Sequence, residues 1–213
     1  MGRYWTPFLV LAMCVQSGRG AEIRAVLAHP VFLVGYACVE HGEESATWDL
    51  GDAFGTDCFI EKLVDVDGRA WAQAYRGSGK QNQDWYGWQQ EVLSPCACKV
   101  LAMNINLEPN RPGVMGSKPA SLLKLQRADG VIFHIAHFDK PLIKVGDSIE
   151  AGQVIARVGN NGLAHHPHIH IGAYQGSEPL QIRFDQHSIR SLERVSSREC
   201  RGGFCRASEP KSR

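Results

Sequence analysis

The segment from residue 130 to residue 174 reads GVIFHIAHFDKPLIKVGDSIEAGQVIARVGNNGLAHHPHIHIGAY, and it decides which fold the chain can adopt. Its apolar runs are short, and glycine, proline, asparagine and aspartate separate them, which favours strands joined by tight turns over helices. The pattern therefore predicts a mainly β domain, either an antiparallel sandwich or a rolled sheet. The strand candidates in and before this segment are 92–105, 122–125, 131–138, 153–158 and 168–174.

A polar, aromatic-rich segment at about 61–88 interrupts this pattern. It contains Gly77-Ser78-Gly79 and Asp84-Trp85-Tyr86-Gly87-Trp88. A stretch of this length without strand character usually forms a binding loop, a lid or a surface excursion. We therefore predict a long loop insertion that either faces a substrate or simply packs its tryptophans.

Six of the nine histidines lie between residues 134 and 170, a density that packing alone rarely requires. In Pro167-His168-Ile169-His170-Ile171 the alternation is strict, so both imidazoles project from one face of a strand, about 7 Å apart. The two isoleucines then face the core. Such a pair can hold a metal ion with one ring and place the other beside a metal-bound water. His134 is an odd number of positions from His137, so it is predicted to face the other side and to be structural.

Five short motifs follow one another from His137 to His170. They are Ala136-His137, Val145-Gly146-Asp147, Ala151-Gly152-Gln153, Val158-Gly159-Asn160-Asn161-Gly162 and Pro167-His168-Ile169-His170. In order and spacing this series resembles the lysostaphin and LytM-like zinc endopeptidases, many of which cut peptide cross-links of bacterial peptidoglycan. The resemblance covers 92–174 well and 41–60 poorly. It implies that family's rolled β fold and a zinc-dependent endopeptidase acting on cell-wall peptides or other peptides.

The resemblance also implies roles for three histidines. His170 matches a zinc ligand, while His168 and His137 match the two catalytic histidines beside the attacking water. Zinc lowers the pKa of a bound water and polarises a carbonyl, and a neighbouring imidazole can carry the proton to the leaving amine. The sequence leaves open which of the two histidines is the base.

The remaining metal ligands fall in the poorly matching part. The resemblance implies an aspartate between an aromatic and an aliphatic residue, which Trp48-Asp49-Leu50 provides, so Asp49 is the predicted ligand. The family usually has a histidine four residues earlier, where this chain has Ser45. A serine hydroxyl is a poor substitute for imidazole as a zinc ligand, and His41 is the nearest replacement.

Two other functions compete with an enzyme. A biotinyl or lipoyl carrier would explain the strand pattern of 145–158, but such a carrier needs a modifiable lysine on an exposed hairpin, and no such turn occurs in the sequence. A catalytically degenerate peptidase domain that binds cell-wall peptide or a protein would explain Ser45. The presence of both His137 and His168 favours the enzyme over this binding module.

The N-terminus predicts export. Arg3, the apolar run from Trp5 to Val15 and the small residues that follow have the layout of a signal peptide over 1–20, and this run is too short to span a bilayer. We therefore expect no membrane span after cleavage and a secreted, periplasmic or extracellular protein. The predicted peptidase domain covers 21–190, and a basic, cysteine-containing tail covers 191–213.

Cysteine and charge content agree with that destination. Beyond the signal, six cysteines are available for three disulfides, and Cys200 with Cys205 is the predicted pair. Cys96 and Cys98 are separated by one residue, which is too close for a structural zinc knuckle. The 23 basic and 22 acidic residues nearly cancel, so a nucleic acid is not an expected partner, and the resemblance implies a peptide substrate.

Overall fold

The computed structural model of the chain describes residues 23–41 and 52–189. The predictions for the signal peptide, for Ser45 and Asp49, and for the tail with Cys200 and Cys205 lie outside these ranges. The described elements are β1 (Ala25–Ala28), β2 (Tyr36–Glu40), β3 (Thr56–Ile60), β4 (Lys62–Val66), β5 (Arg69–Gln73), a 3-10 turn (Asn82–Asp84), β6 (Glu91–Leu93), β7 (Cys98–Asn104), β8 (Leu122–Arg127), β9 (Ile132–Ala136), β10 (Phe138–Asp139), β11 (Ser148–Ile149), β12 (Val154–Val158), β13 (Ile169–Gln175) and β14 (Glu178–Phe184).

The strands confirm the predicted mainly β fold. Nine of them form one curled sheet with the central order β1-β14-β13-β9-β8-β7-β11, and β2 and β3 join it through pairing of β3 with β13. Two small sheets, β10-β12-β6 and the hairpin β4-β5, complete the described part of the chain. The pairs are antiparallel except for β1 with β14.

Strand β13 separates the core from a polar face. Ile169 and Ile171 are fully buried, as the alternation predicted, and they lie among Phe133, Ile135 and Leu125 on the core side of the sheet. The intervening residues of β13 point to the opposite face. The side chains that carry chemistry are therefore mounted on a strand whose other side is fixed by burial of apolar groups.

Two predicted strands are each interrupted in the structure. The run 92–105 splits into β6 and β7, because Pro95 has no backbone N–H for a ladder and the Ser94 hydroxyl donates a hydrogen bond to the Cys96 carbonyl. The run 131–138 splits at His137, whose φ of 66° takes the backbone out of the extended conformation. Both breaks redirect the side chains that follow them.

The expectation that 61–88 lacks strands is wrong. Strands β4 and β5 form a hairpin around Asp67 and Gly68, both of which have positive φ. Aspartate followed by glycine is a common hairpin turn, so this signal was present in the sequence. The residues directly after the segment are hydrogen-bonded to β12. The Gln89 N–H donates to the Val158 carbonyl, and the Val158 N–H donates to the Gln90 carbonyl.

Two disulfides occur among the described cysteines. Cys38 and Cys58 face each other across β2 and β3, and Cys96 joins Cys98 at the start of β7. The first closes a loop with a sequence separation of 20 residues and attaches β2 to the sheet, whereas the second spans a separation of 2. Within the described ranges, no helix is long and apolar enough to cross a bilayer.

Loop length predicts unequal contributions from these disulfides. The Cys38→Ala/Cys58→Ala variant should lower the free energy of unfolding by about 3 kcal/mol, and the Cys96→Ala/Cys98→Ala variant by about half as much, because loop-closure entropy grows with loop length. Denaturant unfolding under oxidising conditions measures both. A larger loss of unfolding free energy in the Cys96→Ala/Cys98→Ala variant would contradict this dependence on loop length.

Candidate metal centre

Strand pairing brings the polar residues of three strands to one face. His170 on β13 lies directly opposite Asp57 on β3, and Asp57 lies opposite Val39 on β2. His41 continues the β2 ladder, since its N–H donates to the Gly55 carbonyl, and it is two residues beyond Val39. The period of two therefore places His41, Asp57 and His170 side by side.

The Asp57 carboxylate is surrounded by imidazoles. Its Oδ1 lies 2.9 Å from His170 Nδ1, 3.2 Å from His41 Nε2 and 3.4 Å from His168 Nε2. His168 and His170 are buried, whereas the side chains of His41 and Asp57 are each 28% exposed. The cluster is thus closed on the β13 side and open to solvent beside His41 and Asp57.

The two catalytic candidates are held by backbone carbonyls. His137 Nδ1 lies 2.8 Å from the Asn161 carbonyl, and His168 Nδ1 lies 2.8 Å from the His166 carbonyl. A carbonyl only accepts hydrogen bonds, so each Nδ1 must carry a hydrogen, and each ring turns its Nε2 away from that backbone contact. The two ring centres are 4.7 Å apart, so both Nε2 atoms serve the same small volume.

The charges of the cluster are strongly coupled. Burial disfavours the charged form of Asp57, but hydrogen bonds with His168 and His170 outweigh it and hold the pKa well below its usual range. Burial alone would lower the pKa of His170, yet its contacts with Asp52 and Asp57 raise it to about 9. Burial and the neighbouring His168 lower the pKa of His137 to about 3. His137 is therefore neutral at neutral pH. The negative charges of Asp52 and Asp57 favour a positive charge at His170 or beside it.

The dimensions of the cluster fit a zinc ion. The ligand atoms of His41, Asp57 and His170 all lie within 4.8 Å of one another. Zinc bonds of about 2.0–2.1 Å place tetrahedral ligands about 3.3 Å apart, close to the observed 2.9 and 3.2 Å from Asp57 Oδ1. Catalytic zinc sites commonly have three protein ligands, such as two imidazoles and one carboxylate, and an open position for water or substrate.

The structure thus brings together four of the five predicted site residues, His41, His137, His168 and His170. Asp49 lies outside the described residues and stays a prediction. Asp57, which the sequence reasoning missed, lies between the histidines. Its signal was modest, an aspartate in the strand-like run Gly55-Thr56-Asp57-Cys58-Phe59. The residue four positions before it is Ala53, so with Asp57 as ligand the family's usual histidine is again absent, and His41 supplies the imidazole from β2.

His134 corrects another prediction. It lies on the same face as His170, because His134 pairs with Gly172 and the two imidazoles stack with centres 5.7 Å apart. The prediction from the odd spacing was wrong because the positive φ of His137 breaks the strand alternation. The His137 side chain therefore lies on the same face as His134. The second missed residue, Asp52, lies 2.7 Å from His134 Nε2 through its Oδ1.

Aromatic rings line the cluster on the side of the 61–88 segment. Phe59 stacks on His168 with ring centres 5.1 Å apart, and Trp85 stacks on His166 at 4.5 Å. Tyr75 packs against Trp85 in turn. The segment therefore packs Trp85 against His166, two residues before the candidate catalytic His168.

Part of the cluster lies in a region that matches a known protein family. Residues 89–182, which include His137, His168 and His170, match the model of Peptidase family M23. His41 and Asp57 precede the matched range. No curated protein matches the chain in sequence.

Solved structures of several peptidases are similar in part. A putative peptidase M23 from Pseudomonas aeruginosa is 20% identical over 44% of this chain and 37% of its own, with a TM-score of 0.36. A zinc-containing peptidase from Vibrio cholerae is 17% identical over 59% and 48%, with a TM-score of 0.35. The catalytic domain of lysostaphin from Staphylococcus simulans is 18% identical over 56% and 86%, with a TM-score of 0.35. The chain thus spans less than half the length of the first two.

A glycine under the cluster provides a test of its packing. A Cβ on Gly172 would lie closer than 3.0 Å to both Asp52 and His134, so Gly172→Ala should destabilise the fold by about 1–3 kcal/mol through overpacking. Thermal or denaturant unfolding measures the loss. Gly35→Ala is the matched control, because its Cβ would approach nothing closer than 3.8 Å. Equal stability of the two variants would show that Asp52 and His134 are not packed against β13.

Proposed function

Because residues 89–182 match the model of Peptidase family M23, we propose that the chain is an exported zinc-dependent endopeptidase that hydrolyses peptide bonds, with bacterial cell-wall peptides as its substrates. One observation carries the proposal. Asp57 Oδ1 lies 2.9 Å from His170 Nδ1 and 3.2 Å from His41 Nε2, distances suited to a shared metal, and His137 and His168 stand beside it with fixed Nδ1 hydrogens.

The proposed ligands are His41, Asp57 and His170. Zinc bound there would act as a Lewis acid for the scissile carbonyl and would make water a nucleophile at neutral pH. The exposed edges of His41 and Asp57 leave the site open to an extended peptide. Burial of the other rings keeps bulk water away from the side where protons must be transferred.

His137 and His168 are the proposed proton carriers. His137 is buried and uncharged, so its Nε2 can accept a proton from the attacking water. The Nε2 of His168 lies 3.4 Å from Asp57 Oδ1, and once it has taken up a proton it can donate a hydrogen bond to the carbonyl oxygen or a proton to the leaving amine. Either ring can serve as the acid or the base, since both present Nε2 to one volume.

Export supports the choice of substrate. The signal layout at 1–20 and the Cys38–Cys58 and Cys96–Cys98 disulfides are typical of proteins outside the cytoplasm, where cell-wall peptides are accessible. The second candidate function is a binding module without turnover. The absence of a histidine four positions before Asp57 favours it, because the third ligand must then come from the end of β2.

Zinc binding tests the ligand set. The purified protein should bind one zinc ion per chain, measured by calorimetry and metal analysis. Loss of a hydrogen-bond partner of a metal ligand typically weakens metal binding by roughly 10–100-fold. His41→Ala and Asp57→Asn should each weaken zinc binding by more than that, because each removes a direct ligand. The exposed His187→Ala is the control. Loss in Asp49→Asn but not in Asp57→Asn would restore the sequence-based ligand and contradict the set proposed here.

Turnover tests the catalytic roles. On peptidoglycan or oligoglycine peptides, His137→Ala and His168→Ala should lower kcat/KM by about 10²–10⁴-fold while zinc content stays at one, because each removes a proton carrier. His165→Ala, an exposed neighbour, should keep full activity. A wild-type protein that holds zinc and binds these peptides without cutting them would support the binding module.

A further inference from the structure

A second buried carboxylate lies behind His170. Asp52 Oδ2 is 2.8 Å from His170 Nε2, while Asp57 Oδ1 is 2.9 Å from Nδ1 of the same ring. The other oxygen of Asp52 accepts a hydrogen bond of 2.7 Å from His134 Nε2. The proposed mechanism uses neither Asp52 nor His134, although both are more than nine-tenths buried. A buried charge of this kind is costly unless a partner compensates it.

We propose that Asp52 and His134 are positioning residues: they fix the ring of His170 with its hydrogen on Nε2 and thereby keep Nδ1 directed at Asp57 and the metal. The inference rests on the proposed function for its consequence but not for its geometry. An imidazole binds a metal through a nitrogen without hydrogen, so the tautomer and the orientation of the ring decide whether Nδ1 is available. Ligand histidines commonly donate their other N–H to a carboxylate for this reason.

The backbone leaves a niche for this carboxylate. A Cβ on Gly55 or on Gly172 would lie closer than 3.0 Å to Asp52, and the one on Gly172 would also meet His134. Both glycines lie on the same face as His170, one on β13 and one just before β3. Asp52 therefore sits against bare backbone under His170 and is buried from solvent.

Asp52, His134 and His170 also form a compact His/Asp group, but all three side chains are buried, whereas the proposed metal site is open to solvent beside His41 and Asp57. The contacts of Asp52 with His134 and His170 are 2.7 and 2.8 Å long, which is within the range of hydrogen bonds. His170 Nε2 is buried, and the Asp52 carboxylate is off the line of its N–H.

His134 fixes the carboxylate from the far side. Its pairing position opposite Gly172 puts the imidazole beside β13, and its Nε2 holds Asp52 Oδ1 while Oδ2 faces His170. Removal of this donor would free Asp52 to turn away from His170. The two residues therefore act as one unit, in which His134 orients Asp52 and Asp52 orients His170.

The tautomer of His170 is the direct readout. In ¹⁵N-histidine-labelled protein without metal, at a pH where the His170 ring is neutral, we expect a solvent-protected Nε2–H resonance for His170 that disappears in Asp52→Asn. In the zinc-loaded protein, Asp52→Asn and His134→Leu should each weaken zinc binding by about 10–100-fold. His134→Gln should restore most of the affinity and the resonance, because its amide N–H can still donate to Asp52. Leu180→Ala, a core truncation on β14, controls for loss of stability alone.

The outcomes separate this inference from the proposed function. If wild-type protein binds zinc and Asp57→Asn abolishes binding, but Asp52→Asn keeps both the affinity and the Nε2–H resonance, the positioning role is wrong and the metal site stands. If the resonance depends on Asp52 while wild-type protein binds no zinc, the positioning role stands and the zinc enzyme is wrong. Two zinc ions per chain, reduced to one by His134→Leu, would replace the positioning role with a second metal site.

Discussion

The two-residue period of β13 is the constraint on which the rest of the structure depends. One side of the strand consists of Ile169, Ile171 and Ala173, which are buried in the core. Burial of these side chains fixes the register, because a slip by one residue would move all of them to the polar face. The other side must then present His168, His170 and Gly172 in that order. Hydrophobic packing on one side of β13 thus determines that the two imidazoles and the small Gly172 lie next to one another on the other side.

The neighbouring strands add what β13 lacks. Antiparallel pairing places Asp57 opposite His170 on one edge and His134 opposite Gly172 on the other. The two carboxylates at His170 are stabilised by imidazoles, and the exposure of Asp57 leaves one side for a cation. The negative charges of Asp52 and Asp57 are thus partly compensated by the surrounding imidazole nitrogens, and a bound divalent cation would compensate them further.

Much of the fold and part of the site could be read from the sequence. The apolar runs and their turns predicted the mainly β fold, and the alternation in 167–171 predicted the burial of Ile169 and Ile171, because period and burial are local properties. The partner of His170 was not local. Asp57 is 113 residues away along the chain, and only strand pairing shows that it faces His170. His134 was misplaced for a related reason, since nothing in the sequence shows that His137 adopts a positive φ.

The disulfide between Cys38 and Cys58 bears on where the protein can work. Cys58 is the residue after Asp57, and Cys38 lies three residues before His41, so one covalent bond sets the spacing between two of the proposed ligands. With both thiols reduced, His41 would depend on the backbone hydrogen bonds at the end of a five-residue strand that is largely exposed. If His41 is a ligand, oxidation of this pair before metal loading would put the third ligand in place, whereas a reduced chain would offer the histidines of β13 with His41 held only by backbone pairing.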